Sequence, residues 1–198
     1  MILHLKLTLK VNIGFVMKSK ILNGNMFNQE VILTPNQCES IINMNNGFES
    51  SKVIRNSTDV YVSNIRTSTE SKVYTSREVK SILLPKLLKY GVTNLPNKFS
   101  ILKYEIGQEF KKHRDVGGSP GVDKRYKTLI IQLSENYKGG ELIIWDNDDE
   151  VVCDTTIGNM ILFPSNLYHQ AKVLEEGIRY VMVFFLKRKN FGIRKSII

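Results

Sequence analysis

From residue 98 onward, the chain is a series of short apolar and β-branched runs separated by turn residues. Runs of this length between turn signals are typical of strands in all-β domains, so the pattern predicts a β-sandwich or jelly roll. The predicted strands are Ser100–Tyr104, Thr128–Leu133, Glu141–Trp145, Val151–Cys153, Met160–Phe163, Ala171–Leu174 and Tyr180–Leu186. The acidic run at 146–150 lies between two of these strands, and we expect it to form an exposed hairpin loop.

Two helices are predicted before residue 98. Thr34 has the features of an N-cap, because Pro35 follows at the first helical position and Gln37 can complete a capping box. A second helix is predicted to begin near Thr75 and to end at Gly91. Glu78 would be the capping-box partner of Thr75, and Pro85 should bend or divide this helix.

The first residues alternate apolar and polar side chains from position 3 to position 13. This alternation predicts a half-buried strand, whereas a signal peptide has a continuous apolar run. Met17 is an alternative start of the chain. We expect one domain, organised as an N-terminal extension (1–27), a helical support region (28–97), a barrel core (98–188) and a basic tail (189–198).

Composition is that of an ordinary soluble globular protein, with 42% hydrophobic and 24% charged residues in 198. No apolar run approaches the roughly 18 residues that a membrane-spanning helix needs. Cys38 and Cys153 cannot build a disulfide framework, so a reducing, cytoplasmic location is expected. The Asn-, Ile- and Lys-rich usage is also compatible with a viral or phage source. The oligomeric state cannot be read from the sequence.

The net charge of +9, from 28 basic and 19 acidic residues, is densest in the tail at 187–195. Such a run is most often a solvated terminus, although it would also attract nucleic acid or another acidic partner. The sequence has no zinc-finger spacing, helix-turn-helix signal or basic repeat interleaved with aromatic residues to support nucleic-acid binding.

Two of the three histidines have the placement of metal ligands. His113 opens an H-R-D run that ends at Asp115, and His169 follows far downstream. Side chains two residues apart on a strand share a face, so His113 and Asp115 can point to one ion. Two histidines and one carboxylate hold non-haem Fe(II) on one face and leave the other open. The alternative for H-x-D alone is a structural hydrogen bond.

The ordered stretches at 104–115, 128–142 and 158–186 closely resemble the 2-oxoglutarate/Fe(II) dioxygenases of the prolyl 4-hydroxylase type, in the form found in microbial and viral members. The resemblance extends over about residues 28–188. It implies a mainly β fold with flanking helices (α+β). The expected architecture is a double-stranded β-helix, a jelly roll or cupin-like barrel whose major sheet is supported by the N-terminal helices.

The resemblance also implies a set of site residues. His113, Asp115 and His169 would bind Fe(II), and Arg179, ten residues after His169, would hold the distal carboxylate of 2-oxoglutarate. The planar guanidinium suits such bidentate binding. Three further residues match positions that lie near the cosubstrate in the family, and we expect them to contact it: Tyr104, Thr128 and Gln132. Many prolyl hydroxylases have a tyrosine in place of Gln132.

The resemblance implies a dioxygenase that uses Fe(II), 2-oxoglutarate and O2, with ascorbate as reductant, and that releases succinate and CO2. The expected substrate is a prolyl residue of a peptide or protein. Alternatives are another residue, a free amino acid or small metabolite, or a nucleic acid as in AlkB-like oxygenases. A non-catalytic binding module is the alternative from another class.

Overall fold

The described part of the protein comprises residues 18–22, 25–54, 60–62, 64–117 and 124–187 of a computed structural model. The strand predicted at 3–13, the alternative start at Met17 and the basic tail at 189–198 lie outside these residues. No helix in the described ranges is both long and apolar enough to cross a bilayer.

Strands dominate the described ranges, as the sequence predicted. The helices are α1 (Pro35–Ile42) and α2 (Arg77–Leu87), and a 3-10 turn (Leu88–Tyr90) follows α2. The strands are β1 (Lys18–Leu22), β2 (Asn25–Val31), β3 (Glu49–Ser50), β4 (Lys52–Ile54), β5 (Val60–Val62), β6 (Thr69–Tyr74), β7 (Lys98–Tyr104), β8 (Phe110–His113), β9 (Arg125–Gln132), β10 (Lys138–Gly139), β11 (Leu142–Asp146), β12 (Asp149–Val152), β13 (Asn159–Pro164), β14 (Tyr168–Ala171), β15 (Leu174–Glu176) and β16 (Arg179–Lys187). The support region at 28–97 therefore contains strands as well as both helices.

Two antiparallel sheets build the barrel. The major sheet has eight strands in the order β1-β2-β13-β9-β16-β7-β6-β3, and the minor sheet has the order β12-β11-β14-β8. Two short pairs, β10-β15 and β4-β5, complete the described pairings. Strands β8 and β14 are neighbours in the minor sheet, and this pairing positions the candidate site.

The central strands of the major sheet are buried on both faces. In β9, Leu129 and Ile131 belong to the cluster that packs against the helices, whereas Ile130 belongs to the cluster between the two sheets. In β16, Met182 belongs to the cluster that packs against the helices, and Val183 belongs to the cluster between the two sheets. This double burial explains why these strands are continuous apolar runs without alternation.

The first helix begins as predicted. The Thr34 side chain accepts a hydrogen bond from the Gln37 amide, and the Gln37 side chain accepts one from the Thr34 amide, which completes the capping box.

The start predicted for the second helix is wrong by one residue. Ser76, rather than Thr75, is the N-cap of α2, and its hydroxyl accepts a hydrogen bond from the Val79 amide. The Thr75 amide instead donates to Asn97 O. Pro85 lies inside α2 without dividing it, and a left-handed Gly91 ends the 3-10 turn.

Two further predictions need correction near the minor sheet. The run Ala171–Leu174 is not one strand, because β14 ends at Ala171 and β15 begins at Leu174. The inward positions of β14 are taken by His169 and Ala171, so this strand has no apolar run to reveal it. The predicted acidic hairpin connects β11 and β12, but only its residues from 147 to 150 are exposed, since Asp146 is buried.

Candidate metal centre and its cavity

The structure brings His113, Asp115 and His169 together. His113 ends β8, Asp115 follows two residues later, and His169 lies directly opposite His113 in the register of β14 and β8. The potential ligand atoms of the three side chains all lie within 4.8 Å of one another. His113 Nε2 is 3.6 Å from Asp115 Oδ1, and His169 Nε2 is 3.3 Å from Asp115 Oδ2. These three residues form the only such cluster found among the described residues.

Backbone carbonyls orient both imidazole rings. His113 Nδ1 lies 2.7 Å from Lys111 O, and His169 Nδ1 lies 3.1 Å from Leu167 O. A carbonyl can only accept, so each Nδ1 must carry the hydrogen and donate it. The lone pair of each neutral ring is then on Nε2, the atom that faces Asp115. This is the second hydrogen bond that metal-binding histidines usually make.

Asp115 is held by hydroxyl groups from the major sheet. The Thr128 hydroxyl donates to Asp115 Oδ2 at 2.7 Å. Because that hydrogen is used, Ser165 must donate to Thr128 across the 2.9 Å between their hydroxyl oxygens. The Asp115 amide also donates to Ser165 O at 3.0 Å. Thr128, predicted to contact the cosubstrate, therefore lies beside the carboxylate and also lines the cavity.

The electrostatics of the cluster keep a negative charge at its centre. Burial alone would raise the pKa of Asp115, but His169 and His113 outweigh it and hold this pKa well below its usual range. Burial likewise opposes the charged form of His169, yet the neighbouring Asp115 raises its pKa. For His113, burial dominates and lowers the pKa. An ionised carboxylate beside two imidazole nitrogens attracts a divalent cation.

Arg179 is a buried cation without an anionic partner among the described residues. It opens β16, opposite Tyr104 in β7, and its side chain is 1% exposed. Its Nε has no hydrogen-bond partner, and its guanidinium lies 5.2 Å from the centre of the Tyr104 ring. Burial of an arginine side chain costs free energy unless an anion pairs with it. Arg179 lines the same cavity as the three-residue cluster, so this cavity suits a carboxylate ligand.

Of the other two residues predicted to contact the cosubstrate, one lines the cavity and the other does not. Tyr104 is 2% exposed and lines the cavity. Gln132 is fully buried but is not among the residues of the cavity wall. Its Oε1 lies 3.5 Å from the Tyr137 hydroxyl, and its Nε2 has no partner. The predicted contact between Gln132 and the cosubstrate therefore remains a prediction.

A single cavity of about 480 Å³ connects the cluster and Arg179 to solvent. Its inner wall is apolar, formed by Leu102, Ile130, Leu142, Val181 and Val183. Its outer part contains basic residues that sequence reasoning missed, among them Arg66 and Arg125. These residues are far apart in the chain, and no local motif marks them.

The donor set fits an iron and keto-acid site better than a structural metal site. Two histidines and one carboxylate are the ligands of non-haem Fe(II), and they leave coordination positions for other molecules. Structural zinc usually closes its shell with four protein ligands, and the described residues offer no fourth donor to this cluster. The unpaired guanidinium of Arg179 fits the far carboxylate of 2-oxoglutarate.

Comparison with known proteins agrees with this geometry. The sequence model of the 2OG-Fe(II) oxygenase superfamily matches residues 99–187, from β7 to the end of β16. A PKHD-type hydroxylase of Rippkaea orientalis is 32% identical over 108 residues, which are 51% of this chain and 48% of that protein. The chain thus spans about half the length of the curated relatives it matches first.

Two solved structures share the fold over most of their length. A prolyl-4-hydroxylase of Pseudomonas putida superposes with a TM-score of 0.64 at 15% identity, covering 85% of this chain and 96% of that one. A prolyl hydroxylase of Trichoplax adhaerens, in complex with a hypoxia-inducible-factor peptide fragment, gives 0.63 at 20% identity, covering 83% and 85%. The predicted double-stranded β-helix is thereby confirmed. Residues 99–187 are thus similar in sequence to the 2OG-Fe(II) oxygenase superfamily, and the chain shares its fold with these prolyl hydroxylases.

Proposed function

We propose that this chain is an Fe(II)- and 2-oxoglutarate-dependent dioxygenase that hydroxylates a prolyl residue of a peptide or protein. The observation that carries the proposal is one cavity with two kinds of site. One is an open set of two histidines and a carboxylate, and the other is a buried arginine without an anionic partner among the described residues.

Each site residue has a defined part in this proposal. His113, Asp115 and His169 would hold Fe(II), with both imidazoles already in the tautomer that presents Nε2. Arg179 would bind the far carboxylate of 2-oxoglutarate through its guanidinium, and Tyr104 beside it would bound the same end of the cavity. When bound, iron and 2-oxoglutarate supply the oxidation, in which O2, keto acid and a substrate C–H group yield succinate, CO2 and a C–OH group.

The apolar wall serves the same reaction by excluding water. Ile130, Val181 and Val183 line the cavity on the side of the major sheet with buried apolar side chains. A dry cavity strengthens the charge interactions within it and protects a reactive centre from side reactions.

The prolyl substrate is supported by likeness to other proteins. Structures that share this fold include a prolyl-4-hydroxylase and a prolyl hydroxylase with a bound peptide fragment. Fold alone does not define a substrate, and the substrate class is therefore tested directly. Peptide libraries incubated with the protein would be searched by mass spectrometry for the gain of one oxygen on proline.

The reaction itself is tested by succinate formation from 2-oxoglutarate in the presence of Fe(II) and ascorbate. We expect the natural chain to form succinate slowly without substrate, and His169→Ala to lose this activity. Gln170→Ala is the matched control, because Gln170 is the next residue of β14 and has no place in the proposed site. A folded natural chain that forms no succinate, or an active His169→Ala, would contradict the proposal.

A further inference from the structure

The solvent side of the cavity is strongly basic. Four of its cationic side chains are exposed, and two are partly buried. We call this set the basic rim: Lys52, Arg66, Lys72, Lys112, Arg114 and Arg125. Among the described residues that line the cavity, only Asp115, inside the metal cluster, and Glu70 have acidic side chains. The rim therefore has a large excess of positive charge.

Glu70 neutralises only part of the rim. Its carboxylate lies 3.3 Å from the Arg66 guanidinium and 3.0 Å from Lys72 Nζ. The other four rim cations form no ion pair with any carboxylate of the described residues. Lys112 Nζ and the Arg114 guanidinium lie 5.6 Å and 4.9 Å from the centre of the same Tyr168 ring. The rim thus keeps like charges close together, which is unfavourable until an anion arrives.

Aromatic rings, rather than carboxylates, position three of these free cations. Lys112 Nζ lies 4.1 Å from the centre of the Trp145 ring, and the Arg114 guanidinium lies 4.9 Å from that of Tyr168. The Arg125 guanidinium lies 3.6 Å from the centre of the Phe185 ring. Cation–π contacts hold a side chain in place and leave its positive charge available.

The proposed cosubstrates leave the charge of the rim uncompensated. With Fe(II) and 2-oxoglutarate bound, the positive charges of iron and Arg179 balance the negative charges of Asp115 and the two carboxylates of the keto acid. The inner site is then neutral overall. The excess at the rim remains for a molecule that binds outside it, where the substrate would enter.

We propose that the substrate is an acidic peptide, whose Asp or Glu side chains near the hydroxylated residue pair with the basic rim. This inference rests on the proposed function, since it assigns the rim to the substrate of that reaction.

The contacts that the phenylalanine rings of the cavity already make favour a peptide over a nucleic acid as the ligand. Binding of single strands depends on bases that stack on free aromatic faces. Phe110 is instead stacked on His113, with centroids 3.5 Å apart and planes at 14°, and Arg66 lies 5.1 Å from its centre. Phe185 is covered by Arg125. The two phenylalanines that line the cavity are thus already in contact with cationic or imidazole groups.

The inference is tested by fluorescence anisotropy with labelled peptides of equal length, each with a central proline flanked by glutamates, glutamines or lysines. Mn(II) replaces Fe(II), and saturating 2-oxoglutarate is present, so that no turnover is needed. We expect the glutamate peptide to bind about tenfold more tightly than the glutamine peptide at low salt, the sum of several exposed ion pairs. The preference should shrink at high salt. A labelled oligothymidine is the competing probe.

Charge variants localise the effect. The double variant Lys52→Gln/Lys112→Gln should lose most of the preference for glutamate, because both lysines are exposed members of the rim. The matched control is Lys98→Gln/Lys138→Gln, which removes the same charge from exposed positions outside the cavity. Equal loss in both variants would show a general charge effect and overturn the assignment to the rim.

The remaining outcomes separate this inference from the proposed function. Equal binding of glutamate and glutamine peptides, or tighter binding of oligothymidine than of any peptide, would overturn the acidic peptide even if succinate is formed. A salt-sensitive preference for glutamate without succinate formation would support the acidic ligand and contradict the proposed reaction. Both results together, with oxygen gained by the glutamate peptide, would support the whole account.

Discussion

Thr128 donates its hydroxyl hydrogen to Oδ2 of Asp115 over 2.7 Å, and this bond connects the two sheets at the candidate metal centre. Thr128 belongs to β9 of the major sheet, whereas Asp115 follows β8 of the minor sheet. Ser165, just after β13, completes the connection by donating to Thr128. The carboxylate is therefore oriented before any metal binds.

Loss of this hydrogen bond should weaken metal binding. Thr128→Val keeps the side-chain shape but removes the donor, so Asp115 Oδ2 loses its partner. We expect metal affinity to fall by roughly 10-fold to 100-fold, as for other residues that orient metal ligands. Titration with Mn(II), followed by electron paramagnetic resonance of the free ion, measures this affinity. Thr128→Ser retains the hydroxyl and should bind nearly as the natural chain; equal affinity of all three would refute the role of Thr128.

Gly140 should control the position of Arg179. It has a φ of +68°, and an added Cβ would lie 3.1 Å from Arg179 Cδ and 3.1 Å from Leu174 Cδ1. Gly140→Ala should therefore displace Arg179 and raise the dissociation constant for 2-oxoglutarate, measured by calorimetry. Gly91→Ala is the control, because Gly91 has a similar φ of +76° but nothing within 4 Å of an added Cβ.

Both alanine variants place an L side chain in the left-handed region, and each should lose about 1–2 kcal/mol of stability. Only Gly140→Ala should also bind 2-oxoglutarate more weakly. Unchanged binding by a folded Gly140→Ala protein would contradict the prediction that the added methyl group displaces Arg179.

The ion pairs of Glu70 should make stability depend on acid pH. Burial alone would raise the pKa of Glu70, but Arg66 and Lys72 outweigh it and lower this pKa. A folded pKa below the unfolded one means that the ionised group stabilises the fold. This contribution is complete above the unfolded pKa of about 4.3. It is lost as the pH falls through the folded pKa.

Glu70→Gln tests this expectation by urea unfolding across the acid range. The variant should be about 1 kcal/mol less stable than the natural chain at neutral pH, the upper end for exposed pairs. The difference should disappear in strong acid. Glu39→Gln removes an exposed carboxylate of α1 and should show no such trend. A difference that is independent of pH would contradict the ion-pair account.

The start of α2 can be tested by two neighbouring substitutions. Ser76→Ala removes the hydroxyl that accepts from the Val79 amide and should lower the free energy of unfolding by about 1 kcal/mol. Thr75→Val should change it little, because the buried Thr75 hydroxyl has no hydrogen-bond partner. A larger loss of stability in Thr75→Val than in Ser76→Ala, measured by thermal or urea unfolding, would instead support Thr75 as the N-cap.

The sequence predicted those parts of the structure that depend on local patterns. Continuous apolar runs revealed the central strands, such as β16, because both of their faces are buried. The capping box of α1 was also readable from Thr34, Pro35 and Gln37. At α2 either of two adjacent hydroxyl residues could be the N-cap, and only the structure, in which the Ser76 hydroxyl accepts from the Val79 amide, decides between them.

The candidate site was partly predictable for a related reason. His113 and Asp115 are close in the chain, and resemblance to a family pointed to His169 and Arg179. Arg66 and Arg125 carried no such signal, because they meet only when β9 and the segment before β6 fold onto one cavity. One inward position of β14 is taken by the ligand candidate His169 in place of an apolar residue, so the apolar pattern that would predict this strand was weak.

The most direct test of the central claim is an anaerobic titration of the protein with Fe(II) and 2-oxoglutarate, followed by visible absorbance. A keto acid chelated to Fe(II) absorbs visible light by charge transfer, whereas either component alone does not. We predict an absorbance that needs both components, saturates at one iron per chain and disappears in His169→Ala. Arg179→Gln should need far more 2-oxoglutarate for the same signal. A folded natural chain that gives no such absorbance would contradict the account.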